Sequence, residues 1–225
     1  MVEYAANCRN AIRPGRCVGL MLLAMALSGC SAVGFHSVSS TWHSLFGQPP
    51  PDRETLRATP GPAVLMASND GYRIYSLAES TEIRRYWRSD YPLRLVSTLH
   101  QRLNTTAGHE NRLLDLRYHY AGTPPWQRPI ARLPAYYRVA AYFETDREHM
   151  LTGRAELRCK PHAGMVRLPL KRIAAFECLE HIEWANGKAT NNHIWRDARG
   201  HIVRARQIPW PGAPELSWEV IKPWW

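Results

Sequence analysis

After Pro62 the chain is cut by turn signals every eight to twelve residues or so, and no helical period survives across the cuts. Ala63–Ala67 is apolar and continuous. Asn69-Asp70-Gly71 is turn chemistry, because these residues tolerate positive φ. Tyr72–Leu77 alternates, with Tyr72, Ile74 and Ser76 on one face and Arg73, Tyr75 and Leu77 on the other, so a hairpin is expected. Ile83–Arg88 and Leu93–Thr98 follow across Ser89-Asp90-Tyr91-Pro92, and Leu113–Tyr118 resumes after Gly108. Gly122–Pro134 is Pro-rich around Trp126 and reads as a loop, since Pro cannot donate to a ladder. Tyr136–Glu144, Leu151–Cys159, Met165–Leu168 and Ile173–Trp184 are the next strands, and Asn186-Gly187 is a hairpin turn. Pro209 to Pro214 breaks the pattern before the last strand, Leu216–Lys222, where Leu216, Trp218 and Val220 share a face. Helical periodicity is limited to single turns at Thr55–Arg57 and His109–Leu114. The expected fold is mainly β, an antiparallel β-sandwich or open barrel with few short helices.

Asn192–Arg196 and Ile202–Gln207 flank Asp197-Ala198-Arg199-Gly200 and predict a further hairpin. Alternation puts Asn192, Ile194 and Arg196 on one face and Asn191, His193 and Trp195 on the other. Burying an indole removes about 150–250 Å² from water, so Trp195 is expected inward.

The chain's opening has a different character. Arg9, Arg13 and Arg16 precede an apolar run, Val18–Leu27, closed by Ser28, Gly29 and Cys30. Basic, apolar and small-residue regions in that order define a secretory signal. A ten-residue helix rises roughly 15 Å, about half a hydrocarbon core, so the run cannot span a bilayer. Leu27-Ser28-Gly29-Cys30 resembles the bacterial lipobox. That resemblance implies cleavage before Cys30, acylation of Cys30, and, with Ser31 rather than Asp next, outer-membrane sorting. Cys8 and Cys17 leave with the signal. Residues 1–29 are thus expected to be the signal peptide, 30–52 a lipidated tether and 53–225 a single β-rich periplasmic domain. The tether ends in Pro49-Pro50-Pro51-Asp52, which favours extended chain, and Trp42, Leu45 and Phe46 are placed to form a short helical turn.

Removing residues 1–29 takes away three Arg and one Glu, which moves the formal charge from +10 to +8. A basic surface suits nucleic acid, anionic lipid or acidic polysaccharide, and an exported anchor argues against nucleic acid. Cys159 and Cys178 are either a disulfide, which an oxidising periplasm permits, or two buried thiols on unrelated strands.

Three passages, in order, resemble the YjbF/GfcB family of bacterial lipoproteins linked to exopolysaccharide and group 4 capsule production. They are Gly61-Pro62-Ala63-Val64-Leu65; Tyr86-Trp87-Arg88-Ser89-Asp90 with Gln101-Arg102-Leu103 and Thr106 to Asn111; and Asn192 through Ile194-Trp195, Gly200 and Arg206-Gln207 to Ile221-Lys222-Pro223. The resemblance implies a mostly β outer-membrane lipoprotein serving polysaccharide assembly or export, with polysaccharide or export proteins as partners. It supplies no catalytic residue.

The residues themselves carry no Gly-rich phosphate loop, His-Glu-x-x-His or Cys-x-x-Cys, and the His are scattered, so neither metal nor cofactor is expected. Asp90, Glu110 and Asp115 are the carboxylates available for a polysaccharide-modifying acid–base pair, or equally for turn caps and Arg pairs. Gln101 to Asn111, rich in donors and acceptors, reads either as a binding loop on a β scaffold or as a loop bonded to itself. Of the Trp after Cys178, Trp195 and Trp218 lie on strands and suit the core; Trp210, Trp224 and Trp225 suit the surface, where flat rings can meet sugar faces or a membrane interface. The candidate binding set is Arg88, Asp90, Gln101, Arg102, Thr106, His109, Glu110, Asn111 and Trp210.

Overall fold

The computed structural model describes residues 49–90, 93–109, 112–131 and 133–225. The expected signal, lipidation site Cys30, the tether through residue 48, and Glu110 and Asn111 lie outside the described residues. The described chain begins with a six-residue helix, α1 (Arg53–Ala58), where the single turn at Thr55–Arg57 was expected. Asp52 caps it by accepting from the Thr55 amide (2.8 Å). At its other end Lys222 Nζ donates to the carbonyls of Arg57 (2.8 Å) and Thr59. Leu56 buries against Ala63, Leu65 and Ile221.

Thirteen strands follow. They are β1 (Ala63–Ser68), β2 (Gly71–Ser80), β3 (Arg84–Ser89), β4 (Arg94–Leu99), β5 (Arg102–Ala107), β6 (Leu113–His119), β7 (Tyr136–Glu144), β8 (Arg147–Cys159), β9 (Gly164–Arg167), β10 (Arg172–Trp184), β11 (Ala189–Arg196), β12 (Ile202–Gln207) and β13 (Leu216–Lys222). All pairings are antiparallel. The hydrogen-bonded path runs β5-β4-β3-β2-β1-β13-β12-β11-β10-β8-β7-β6, with β9 attached to β10 off the path. The path ends meet side by side, sealed by side chains instead of a ladder. Tyr118 Oη donates to the Leu103 carbonyl (2.7 Å), Asn104 Nδ2 to the Leu116 carbonyl (3.3 Å), and the Leu113 amide to Thr106 Oγ1 (3.0 Å). The result is a nearly closed barrel, the open-barrel form of the expected mainly β fold. Closure removes the two free edges that would otherwise template aggregation.

The polar passage from Gln101 holds a strand, β5, where a loop was expected; β6 begins at Leu113 as the strand expected at Leu113–Tyr118, so the helical turn expected to reach Leu114 does not extend past Arg112. The β4–β5 hairpin turns on His100 and Gln101, with φ of 47° and 68°. Neither residue favours that region. Tertiary bonds hold it: Trp126 Nε1 donates to the His100 carbonyl (2.8 Å), and Gln101 Oε1 accepts from the Ile202 amide (2.7 Å). Trp126, in the Pro-rich segment, is fully buried within the barrel.

The barrel interior is not purely apolar. Glu180, Arg102 and Arg138 are all fully buried. Glu180 Oε2 accepts from Arg102 Nη2 (2.7 Å), Arg138 Nη1 (3.0 Å) and Asn192 Nδ2 (2.5 Å), while Oε1 accepts from Tyr136. Arg102 Nε donates to Gln207 Oε1 (2.9 Å). Burial pushes the Glu180 carboxyl up, but the two guanidiniums outweigh it and hold the group at about 2. Two cations facing one anion leave an excess positive charge in the core. Aromatic faces meet it: Arg102 lies 5.0 Å from the Trp126 ring and Arg138 5.6 Å from the Trp184 ring.

This network corrects the expectation for Trp195. The alternation in β11 is as expected, but Asn192, Ile194 and Arg196 point in and Trp195 points out. Asn192 serves Glu180, and Arg196 donates to the carbonyls of Trp126 (2.5 Å) and Arg128 (2.7 Å), anchoring the Pro-rich segment. Trp195 is half-buried on the outer face. It packs beside a second cluster, Val166, Leu168, Ala175 and Val203, under the Arg204 guanidinium (5.2 Å).

Cys159 and Cys178 are directly opposite on β8 and β10, 3.8 Å apart at Cα, and form a disulfide. Cys159→Ala/Cys178→Ala is expected to cost about 3 kcal/mol in urea unfolding. Glu180→Gln strands two buried arginines without a counter-charge and is expected to cost about 3–5 kcal/mol in the same assay.

Candidate functional site

β1 and β13 run the length of the barrel, and at the end where β1 finishes and β13 starts a cleft opens. It is shallow, with a cavity volume of about 50 Å³, and lies between the β1–β2 turn (Ser68, Asn69, Asp70), the end of β5 (Thr106, His109) and the β12–β13 connection (Pro209, Trp210, Ala213 to Leu216). Each wall has a local cause. Gly71 (φ 91°) closes the first turn. Gly108 (φ 77°) lets the end of β5 tuck under β4, where a Cβ would stand 2.6 Å from the Leu93 carbonyl. The β12–β13 connection cannot continue a ladder because of Pro209, Pro211 and Pro214. It folds Trp210 in instead, stacked 4.2 Å from the Tyr142 ring at an 11° tilt. Trp210 is buried rather than on the surface as expected, and forms part of the cleft floor.

The rim is polar. Arg94 Nη1 pairs with Asp70 Oδ2 (2.5 Å), and Arg206 Nε with Glu215 Oε1 (2.9 Å), so both rim carboxylates face a cation. His109 Nε2 lies 3.2 Å from Tyr75 Oη. Burial, then the nearby Arg94 and Arg73, push His109 down to about 4, so the ring is neutral at neutral pH. Burial also raises the Tyr75 phenol, which stays protonated and can donate to a neutral His109. The floor is aromatic and aliphatic, and the rim is hydrogen-bonding with each carboxylate paired to an arginine.

The cleft gathers Thr106 and His109, from one passage of the sequence, with the distant Trp210. The other described candidates lie elsewhere. Arg102 is in the core network. Gln101 holds the hairpin at the opposite end of β5. Arg88 and Asp90 form an exposed pair with each other (3.3 Å). Asp115 binds Arg117 (2.5 Å) and Asn104 (2.8 Å) beside the seam. Asp70, Arg94 and Tyr142 are site residues that sequence reasoning passed over. Asp70 was legible only as a turn former, and Tyr142 only as one member of an alternating strand. Among the described residues no cluster of His, Cys, Asp and Glu could hold a metal ion.

Barrel, seam and end cleft define a class: an antiparallel barrel with an internally plugged lumen and a shallow site at one mouth. The chain matches no family model and no curated protein. Its fold is similar to that of a solved structure, the hypothetical lipoprotein YmcC from Escherichia coli (K12), with a TM-score of 0.66 and 18% identity, over 86% of this chain and 96% of that one.

A histidine whose folded value is depressed takes up its proton less readily than the unfolded chain. Its stabilising share is complete above 6.5 and is lost as pH falls toward about 4. The melting temperature should therefore decline across this window, and His109→Gln should flatten that part of the curve.

Proposed function

We propose that this chain is a lipid-anchored outer-membrane protein of the YjbF/GfcB type, non-enzymatic, which assists assembly or export of exopolysaccharide or capsule on the periplasmic face. The lipobox at Cys30 and the barrel's likeness to YmcC, itself described as a lipoprotein, support the anchor. The observation that carries the binding role is the convergence of Thr106, His109 and Trp210 on one cleft with an aromatic floor. Sugar rings offer an apolar face and a hydroxyl edge, and floor and rim answer both. The cleft's place at a barrel mouth, on turns carried by rigid strands, is where binding groups gather on β scaffolds.

The test is deletion of the gene in its host with surface polysaccharide measured, followed by complementation. Wild-type protein is expected to restore the polymer, and Asp70→Ala/His109→Ala to restore protein level but not polymer. Unchanged polysaccharide in the deletion strain overturns the role. Polymer restored fully by the double variant overturns the cleft while leaving the role standing.

A further inference from the structure

Ten of the described Arg and Lys side chains pair with a carboxylate. Arg94 pairs with Asp70, Arg154 with Glu156, Lys160 with Glu177, Arg204 with Glu219 and Arg206 with Glu215. Among those without a carboxylate partner, four are gathered in one place. Arg53, Arg167, Lys171 and Arg172 surround a shallow cleft between the start of α1 and the β9–β10 turn, and no carboxylate lines it. All four are exposed. Arg53 Nη2 donates to the Leu170 carbonyl (3.2 Å), which ties α1 to the turn and sets the spacing of the cluster. Arg167 and Arg172 are directly opposite in the β9–β10 ladder. Like charges in that position destabilise a sheet, so stability does not explain the pair. Alternation places Met165 on the same face of β9 as Arg167, and Met165 is 68% exposed. The ribbon thus offers a row of unneutralised cations beside a bare apolar side chain.

Position adds the second half of the argument. The tether from Cys30 enters the domain at Asp52, the residue before Arg53. A chain anchored at Cys30 is therefore joined to the domain beside this cluster. We propose that the β9–β10 ribbon and the start of α1 form a headgroup-contact surface, in which Arg53, Arg167, Lys171 and Arg172 take the phosphates of anionic lipid and Met165 seats at the acyl boundary. The inference deepens the lipid-anchor reading and rests on it for orientation. The chemistry is that of basic segments on charged bilayers: attraction grows with each Lys or Arg and decays within a Debye length.

Lysine labelling tests it, because Lys171 and Lys188 lie at opposite ends of β10 and both are exposed. The mature, acylated protein is placed in vesicles of phosphatidylethanolamine with phosphatidylglycerol, or of phosphatidylcholine alone, and exposed lysines are modified with an amine-reactive reagent. Anionic vesicles are expected to slow Lys171 modification at least fivefold relative to Lys188, and molar salt to abolish the difference. Arg167→Gln/Arg172→Gln should remove the protection and leave the melting temperature equal or higher, since a like-charge pair is lost. Equal Lys171 rates in both vesicle types overturn the surface. Protection by a soluble polyuronate without vesicles, matching that of the anionic bilayer, overturns the lipid assignment in favour of acidic glycan. Carbonate-resistant cosedimentation reports the anchor separately, so a failed anchor with Lys171 still protected at low salt is distinguished from a failed surface.

Discussion

The buried Glu180 carboxylate organises this barrel. It sits on β10 and takes bonds from β5 through Arg102, from β7 through Tyr136 and Arg138, and from β11 through Asn192, while Arg102 reaches on to Gln207 of β12. Strands far apart in the ladder are thereby cross-braced through the lumen. The need follows from width. A barrel of about eight strands can be filled by side chains from its own wall, and wider ones leave a lumen. Here twelve strands form the ring, with β9 outside it. Long guanidinium side chains cross a space that Val or Leu cannot. Intruding aromatics occupy the rest, with Trp126 entering from the Pro-rich segment and Trp224 from the C-terminal tail, edge-on to Trp87 at 4.8 Å. A buried ion pair is seldom the most stable filling. Its directional bonds tie β5, β7, β11 and β12 to β10 through Arg102, Tyr136, Arg138 and Asn192.

The seam is the second consequence. β5 and β6 are neighbours without a ladder, and their closure depends on Thr106, Asn104 and Tyr118 side chains reaching backbone groups. Thr106 therefore has two duties, since it seals the seam and lines the cleft. The cleft lies where the seam ends, because the turn at Gly108 carries β5 away from its ladder and leaves a notch that Trp210 only partly fills.

Strand placement and hairpins were legible from the sequence because they depend on local rules: alternation, Asn-Gly and Asp-Gly turns, and Pro exclusion. Facing was legible where apolar residues dominate, as in Leu216, Trp218 and Val220 of β13. It failed in β11 because the rule assumes that an indole outranks an amide and a guanidinium for the inside. Asn192 and Arg196 win that place through partners up to some seventy residues distant, Glu180 near at hand and the Trp126 and Arg128 carbonyls far off. Nothing local to β11 announces them. β5 was read as a loop for the same reason, since the partners of Arg102 and Asn104 lie on other strands. Its turn, His100-Gln101, also lacks the residues that mark a positive-φ hairpin. Charged residues at inward positions of alternating strands, Arg138 between Tyr136 and Ala140 and Glu180 between Cys178 and Ile182, were the available signal. Two opposite charges at inward positions of strands separated only by β8 point to each other.

The two barrel ends are chemically unlike, and that asymmetry links anchor to site. β1 begins beside α1 and finishes at the cleft; β13 begins at the cleft and finishes beside α1. The α1 end is closed by Trp224 and by Trp225 stacked on His201 at 4.5 Å, and it carries the Arg53, Arg167, Lys171 and Arg172 cluster. The far end carries the charge-balanced cleft, where each rim carboxylate has its own arginine. A strand of six or seven residues spans about 20 Å, more than a Debye length at physiological ionic strength. On the proposed headgroup contact, a bilayer's negative potential therefore acts on the α1 end and scarcely reaches the cleft. On the proposed reading, a cleft that takes a weakly charged polymer gains from that separation, because the proposed headgroup contact lies at the sealed, basic end and the cleft opens at the other.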